Sequence, residues 1–146
     1  MKLATLNNDT RDGALLVVSH DMSHAVKPSD VADHLPQTAQ ALMDSWSEYS
    51  DELETIYAQL NRGEVDQAFE VDPLQLHSLL PRAYAWIDGS AYINHIVLVR
   101  NARGAEPPAT LKTDPLVYQG GSDTFLAPRA PMLPMAVIGL AMRHHA

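Results

Sequence analysis

Asp88 and His95 are the two residues of this chain whose types and spacing come nearest to a reactive pair. They stand seven residues apart in Pro81-Arg82-Ala83-Tyr84-Ala85-Trp86-Ile87-Asp88-Gly89-Ser90-Ala91-Tyr92-Ile93-Asn94-His95, where titratable groups are interleaved with aromatic and apolar ones. A carboxylate can hold a hard cation while a neutral imidazole takes a proton from water, so the two would cooperate if the glycine-containing turn between them brought both to one pocket. A plainer reading stands beside this one. Asp88-Gly89 is an ordinary turn signal, and His95 ahead of a strand is a buried histidine with its hydrogen bonds satisfied. On the residues alone the plainer reading carries more weight.

Other chemistry is excluded by inspection. The chain has no cysteine, which removes zinc ribbons, iron–sulfur clusters, thiol catalysis and disulfides. It has no Walker A sequence, no dinucleotide glycine fingerprint, no His-Glu-x-x-His and no Gly-x-Ser-x-Gly elbow; Ser90 and Ser122 each follow a glycine without the rest of that pattern. His20 and His24 sit at the end of a strand-like run, where a spacing of four does not align side chains as it would on a helix, and are read as surface histidines.

The elements that would position the pair follow from periodicity. Leu3 to Leu6 and Ala14-Leu15-Leu16-Val17-Val18 flank the turn-forming run from Asn7 to Gly13, which predicts an N-terminal hairpin. From Thr38 to Leu60, Leu42, Trp46, Tyr49, Leu53, Ile56 and Leu60 fall three and four apart, which predicts one amphipathic helix with Trp46, Tyr49 and Tyr57 in its core stripe and its acids toward solvent. Asn61-Arg62-Gly63 is a stop signal, with Gly63 free to take the left-handed conformation. Residues 64–81 read as a connection with a short helical turn between Asp72-Pro73 and Leu80-Pro81, and a boundary follows near residue 80. Beyond it, Tyr84 to Ile87 and Ile96 to Val99 read as strands.

A length of 146 residues fits one core and little more. With 46% hydrophobic and 19% charged residues, the chain folds without a staple. The net charge of −8 opposes a broad phosphate-binding surface, so nucleic acid is not expected as a partner. Charge is uneven: residues 1–75 hold fourteen acids and four bases, net −10, and residues 76–146 four acids and six bases, net +2. No apolar stretch reaches the roughly 18 residues of a membrane span, which leaves a soluble, cytoplasmic protein as the expectation.

The segment from Pro81 to Glu106, followed by Thr113-Asp114-Pro115-Leu116-Val117-Tyr118-Gln119-Gly120-Gly121-Ser122-Asp123, closely resembles bacterial members of the fumarylacetoacetate hydrolase family. Lys2-Leu3-Ala4-Thr5-Leu6 and Thr10-Arg11-Asp12-Gly13 are similar to that family's N-terminal domain, so the resemblance runs from about residue 2 to about residue 129. It implies an α+β fold: a hairpin and long amphipathic helix in an N-terminal domain over 1–80, the first, mainly β, part of the catalytic domain over 81–129, and a divergent tail over 130–146. It also implies a metal-dependent hydrolase of aromatic catabolism that cleaves a carbon–carbon bond in fumarylacetoacetate- or acylpyruvate-type dioxo acids. In that scheme Asp88 is a ligand of Mg²⁺ or Ca²⁺, His95 is the general base toward water, Tyr118 contacts substrate, and Arg100 or Arg103 takes the substrate-binding arginine role. Ser90 departs from the fumarylacetoacetase branch, which has tyrosine two residues after the aspartate.

The resemblance further implies a Glu-x-Glu pair, another aspartate and a glutamate that orients the histidine, all downstream of the glycine-containing loop. Pro131-Met132-Leu133-Pro134-Met135-Ala136-Val137-Ile138-Gly139-Leu140 does not look like that continuation, and His144-His145 is too short for a metal site. The expectation is a C-terminally truncated or frame-shifted copy, inactive alone, because one aspartate holds Mg²⁺ only feebly. The family implies a homodimer, and an unfinished sheet edge implies self-association. A non-catalytic binding or interaction domain is the alternative, and half of a split enzyme is a third reading.

Overall fold

The computed structural model describes residues 1–121 and 124–132, which fall into two compact units. One comprises Met1–Pro81 and the described residues from Phe125 onward, the other Arg82–Thr124. The structure holds both helices and antiparallel sheets, an α+β protein.

In the first unit, β1 (Lys2–Leu6) and β2 (Ala14–Val18) form the expected hairpin, with Lys2 opposite Val18 and Leu6 opposite Ala14. They lie inside a five-stranded antiparallel sheet with β3 (His24–Val26), β4 (Phe69–Glu70) and β5 (Leu76–His77), in the order β4-β3-β2-β1-β5. β2 is the middle strand and is buried on both faces, which is why its sequence is a continuous apolar run rather than an alternation. Leu15 and Val17 face one side, against Leu42, Leu53, Ile56 and Leu60 of the helices. Leu16 and Val18 face the other, beside Ala25 and the less buried Ala4, Phe69 and Leu76. Each leucine so enclosed contributes about 1.5–3 kcal/mol relative to exposure.

The helical layer corrects the single predicted helix. α1 is a short turn at Pro28–Val31; α2 (Ala39–Asp44) and α3 (Trp46–Asn61) are separate, broken at Ser45. Ser45 leaves the helical region at φ −133° and ψ 38°, donates its N–H to the Leu42 carbonyl and accepts that of Glu48, so it ends one helix and starts the next. The break turns Trp46 outward: it is 42% exposed, not the core residue expected, whereas Tyr49 and Tyr57 pack partly buried against the core. Thr38 caps α2, its Oγ1 accepting the Ala41 N–H at 3.2 Å. α3 ends as expected, with Gly63 at φ +72°. The connection over 64–81 contains its helical turn as a 3₁₀ segment at Pro73–Gln75, and also the two-residue edge strands β4 and β5, which are too short to leave a periodic signal.

The second unit contains an antiparallel ribbon of β6 (Ile87–Ser90) and β7 (Leu116–Gln119) and a helix, α4 (Ile93–Ala102). The strand expected at Ile96–Val99 is therefore helical, of the strand expected at Tyr84–Ile87 only Ile87 is in β6, and Asp88-Gly89 is strand rather than turn. Among the described residues no helix is long and apolar enough to cross a membrane. Ser122, Asp123 and the tail from residue 133, with His144-His145, lie outside the described residues.

Candidate functional site

Asp88 sits at the second position of β6, paired in register with Tyr118 on β7. Opposed residues of an antiparallel pair share a face, and Trp86, two positions before Asp88, shares it too. The ring contact between Trp86 and Tyr118, with centroids 5.5 Å apart and planes at 80°, is the diagonal pair that this register requires. The ribbon is fastened beside it by the Gly120 N–H, which donates to the Trp86 carbonyl at 2.9 Å. A Cβ at position 120 would fall within the Trp86 ring, so glycine there permits the ring to lie against the strand end.

Two residues, Ala91 and Tyr92, join the end of β6 to α4, whose first turn carries His95. This strand–link–helix corner encloses a hollow of about 350 Å³ lined by Asp88, Ser90, Tyr92, His95 and Ile96. Asp88 and His95 thus meet on one cavity, both exposed, and among the described residues neither side chain has a hydrogen-bond partner. His95 is not the buried, satisfied histidine of the plainer reading. The start of α4 has no side-chain cap, so its first N–H groups remain open to an anionic group of a bound molecule.

The other predicted site residues are not gathered there. Tyr118 shares the Asp88 face of the ribbon but does not line the hollow. Arg100 lies five residues beyond His95, about 140° around the helix. Arg103 is the C-cap of α4, its N–H bonded to the Val99 and Arg100 carbonyls. Ser90 and Tyr92 do line the hollow without having been assigned a role from sequence. The usable signal for them is the two-residue link, which keeps a strand end and a helix start on one side.

The described residues do not by themselves make a site for a divalent cation. Among the described residues no group of three His, Cys, Asp or Glu side chains is placed to hold a metal ion. Asp88 is the sole carboxylate that the described residues bring to the hollow, and Mg²⁺ and Ca²⁺ need a near-octahedral or larger set of oxygens.

The amino-terminal unit decides the relationship. Residues 1–82 match the family model described as fumarylacetoacetase N-terminal domain 2. The chain belongs to the fumarylacetoacetase-like family. No curated protein matches it. The family match spans the hairpin, α1 to α3 and the strands β3, β4 and β5, and ends just inside the second unit, ahead of Asp88 and His95.

Proposed function

We propose that this fumarylacetoacetase-like chain carries half of a hydrolytic site for small dioxo acids and is inactive by itself. The observation that carries the reading is the hollow that Asp88 and His95 share, to which the described residues bring no further carboxylate or imidazole. In it His95 is positioned to accept a proton from water, Asp88 supplies one anionic oxygen, and the uncapped start of α4 favours an oxo-acid carboxylate. Carbon–carbon cleavage in such acids also needs charge stabilisation at the departing enolate, and the described residues bring no cation or further carboxylate to this hollow for it. Downstream of Glu106 these 146 residues hold only Asp114 and Asp123 as acids, so in this reading the further carboxylates come from outside this segment.

The purified chain, assayed with an acylpyruvate in Mg²⁺ and then in Ca²⁺, is expected to show no turnover. Turnover that disappears in His95→Ala would overturn the proposal. A second reading, a non-catalytic interaction domain, is favoured by the exposed Tyr84, Ile87, Tyr92, Leu98, Val117 and Tyr118 of the second unit. Self-association in size-exclusion chromatography that Ile87→Glu abolishes would favour it.

A further inference from the structure

The amino-terminal sheet has a second face that the proposed hydrolytic site does not use. Lys2, Ala4 and Leu6 alternate onto it from β1, opposite Val18, Leu16 and Ala14 of β2. A groove of about 650 Å³ runs over this face, within the span of known small-molecule sites. Its floor is apolar, built from Ala4, Val18, Val71 and Leu76, with Met22 and Leu79 at the sides. Its polar groups are mostly donors. Lys2 Nζ donates to the His20 carbonyl and keeps two further protons. His77 Nδ1 accepts the Ser78 N–H at 2.9 Å, which puts the proton of the neutral ring on Nε2. Arg129 is exposed and has no ion pair among the described residues.

Asp21 is the one acid on the wall, and its Oδ1 already accepts from Ser19 Oγ, Ser23 N and Ser23 Oγ at 2.7, 3.0 and 2.7 Å. Lys2 is one of only four bases against fourteen acids in residues 1–75, and Arg129, from the later part of the chain, joins it at this apolar groove. Within residues 1–75, Lys27 and Arg62 are matched by Asp30 and Glu64. Among the described residues neither Lys2 nor Arg129 has an acidic partner. We infer that this groove binds an amphipathic carboxylate, a medium-chain or aryl-alkyl monocarboxylic acid, with its apolar part over Val18 and Leu76 and its carboxylate toward Lys2 and Arg129.

The test is calorimetric titration of the full chain with octanoate and 4-phenylbutyrate, and with octanol as the uncharged control. Saturable binding is expected, weaker by about tenfold or more for octanol and in Arg129→Glu. Met22→Glu, which sets a carboxylate on the groove wall at another exposed position, is expected to weaken it likewise. Circular dichroism and the melting temperature should stay unchanged in both variants. No uptake up to about 10 mM would overturn the inference, as would equal affinity for octanol, undiminished binding in Arg129→Glu, or exclusion of ligand by a second copy of the chain. His95→Ala leaves the groove untouched, so its ligand binding should match that of the parent chain whatever the fate of the hydrolytic reading.

Discussion

Gly13 and Gly63 both have positive φ, +64° and +72°, but in opposite surroundings, and the difference can be measured. A Cβ at Gly63 would meet nothing within 4 Å. A Cβ at Gly13 would run into Thr5 Cγ2 and come to 2.6 Å from the Leu6 carbonyl oxygen, both on the strand that the hairpin pairs with β2. Thr5 cannot rotate out of the way, because it is fully buried and its Oγ1 donates to the Leu79 carbonyl at 2.6 Å. Gly63→Ala should therefore cost only the left-handed conformation, about 1–2 kcal/mol. Gly13→Ala should add about 1–3 kcal/mol of overpacking in a hairpin that cannot yield, so its total is about 2–5 kcal/mol. Against a domain stability of about 5–15 kcal/mol, that is the difference between a tolerated and a crippling change. In thermal unfolding the two variants should melt about 8–16 °C apart for a 2 kcal/mol difference, since each kcal/mol moves a domain of this size by about 4–8 °C. Equal melting temperatures for the two alanine variants would refute the steric argument and with it the tight Thr5–Gly13 contact.

Three further outcomes follow from the same structure. Thr5→Val keeps the shape but strands the Leu79 carbonyl without its donor, and chemical denaturation should show a loss of about 1–3 kcal/mol. The hydroxyl of Ser19, then the N–H and hydroxyl of Ser23, hold the Asp21 carboxyl well below the usual carboxylate range. A depressed folded-state pKa contributes stability above the unfolded value of about 3.9 that is lost as pH falls, so Asp21→Asn should flatten the acid limb of a stability–pH curve below about pH 4 and leave its neutral slope unchanged; an identical acid limb would count against these bonds. Finally, about 5 mM Mg²⁺ should leave the melting temperature where EDTA leaves it, whereas a built site with a Kd of about 50 μM would raise stability by about 2.7 kcal/mol.

Much of the amino-terminal unit was legible because its signals are local and dense. Turn formers from Asn7 to Gly13 between two apolar runs allow little besides a hairpin, and the apolar stripe from Leu42 to Leu60 sustains a helical period over several turns. The break at Ser45 was hidden because Leu42, Trp46 and Tyr49 keep their spacing across it, and only the outward turn of Trp46 reveals that the phase has changed. β4 and β5 were hidden for another reason. Each is two residues long and held by partners from distant parts of the chain, His24 and Ala25 for one and Thr5 and Leu6 for the other, so nothing within either segment announces a strand.

The element that supports the candidate site is a helix where local propensity points to a strand. β-branching in Ile96-Val97-Leu98-Val99 favoured a strand by propensity, yet propensity is a weak prior beside the ends of an element. At the end of α3, the Gly63 N–H bonds the Leu60 carbonyl and the Glu64 N–H the Gln59 carbonyl; at the end of α4, Gly104 bonds Asn101 and Ala105 bonds Arg100 in the same pattern, with Gly104 at φ +66°. Arg62-Gly63 and Arg103-Gly104 each follow an apolar run and make the same closure, so the stop signal at residue 62 has its counterpart at residue 103. The consequence reaches the chemistry. Had β6 run on as one strand through residue 95, Asp88 and His95, an odd seven residues apart, would point to opposite faces. A strand that stops at Ser90 and a helix that starts at Ile93 instead fold the chain around Ala91 and Tyr92, and the carboxylate and the imidazole come to line one hollow.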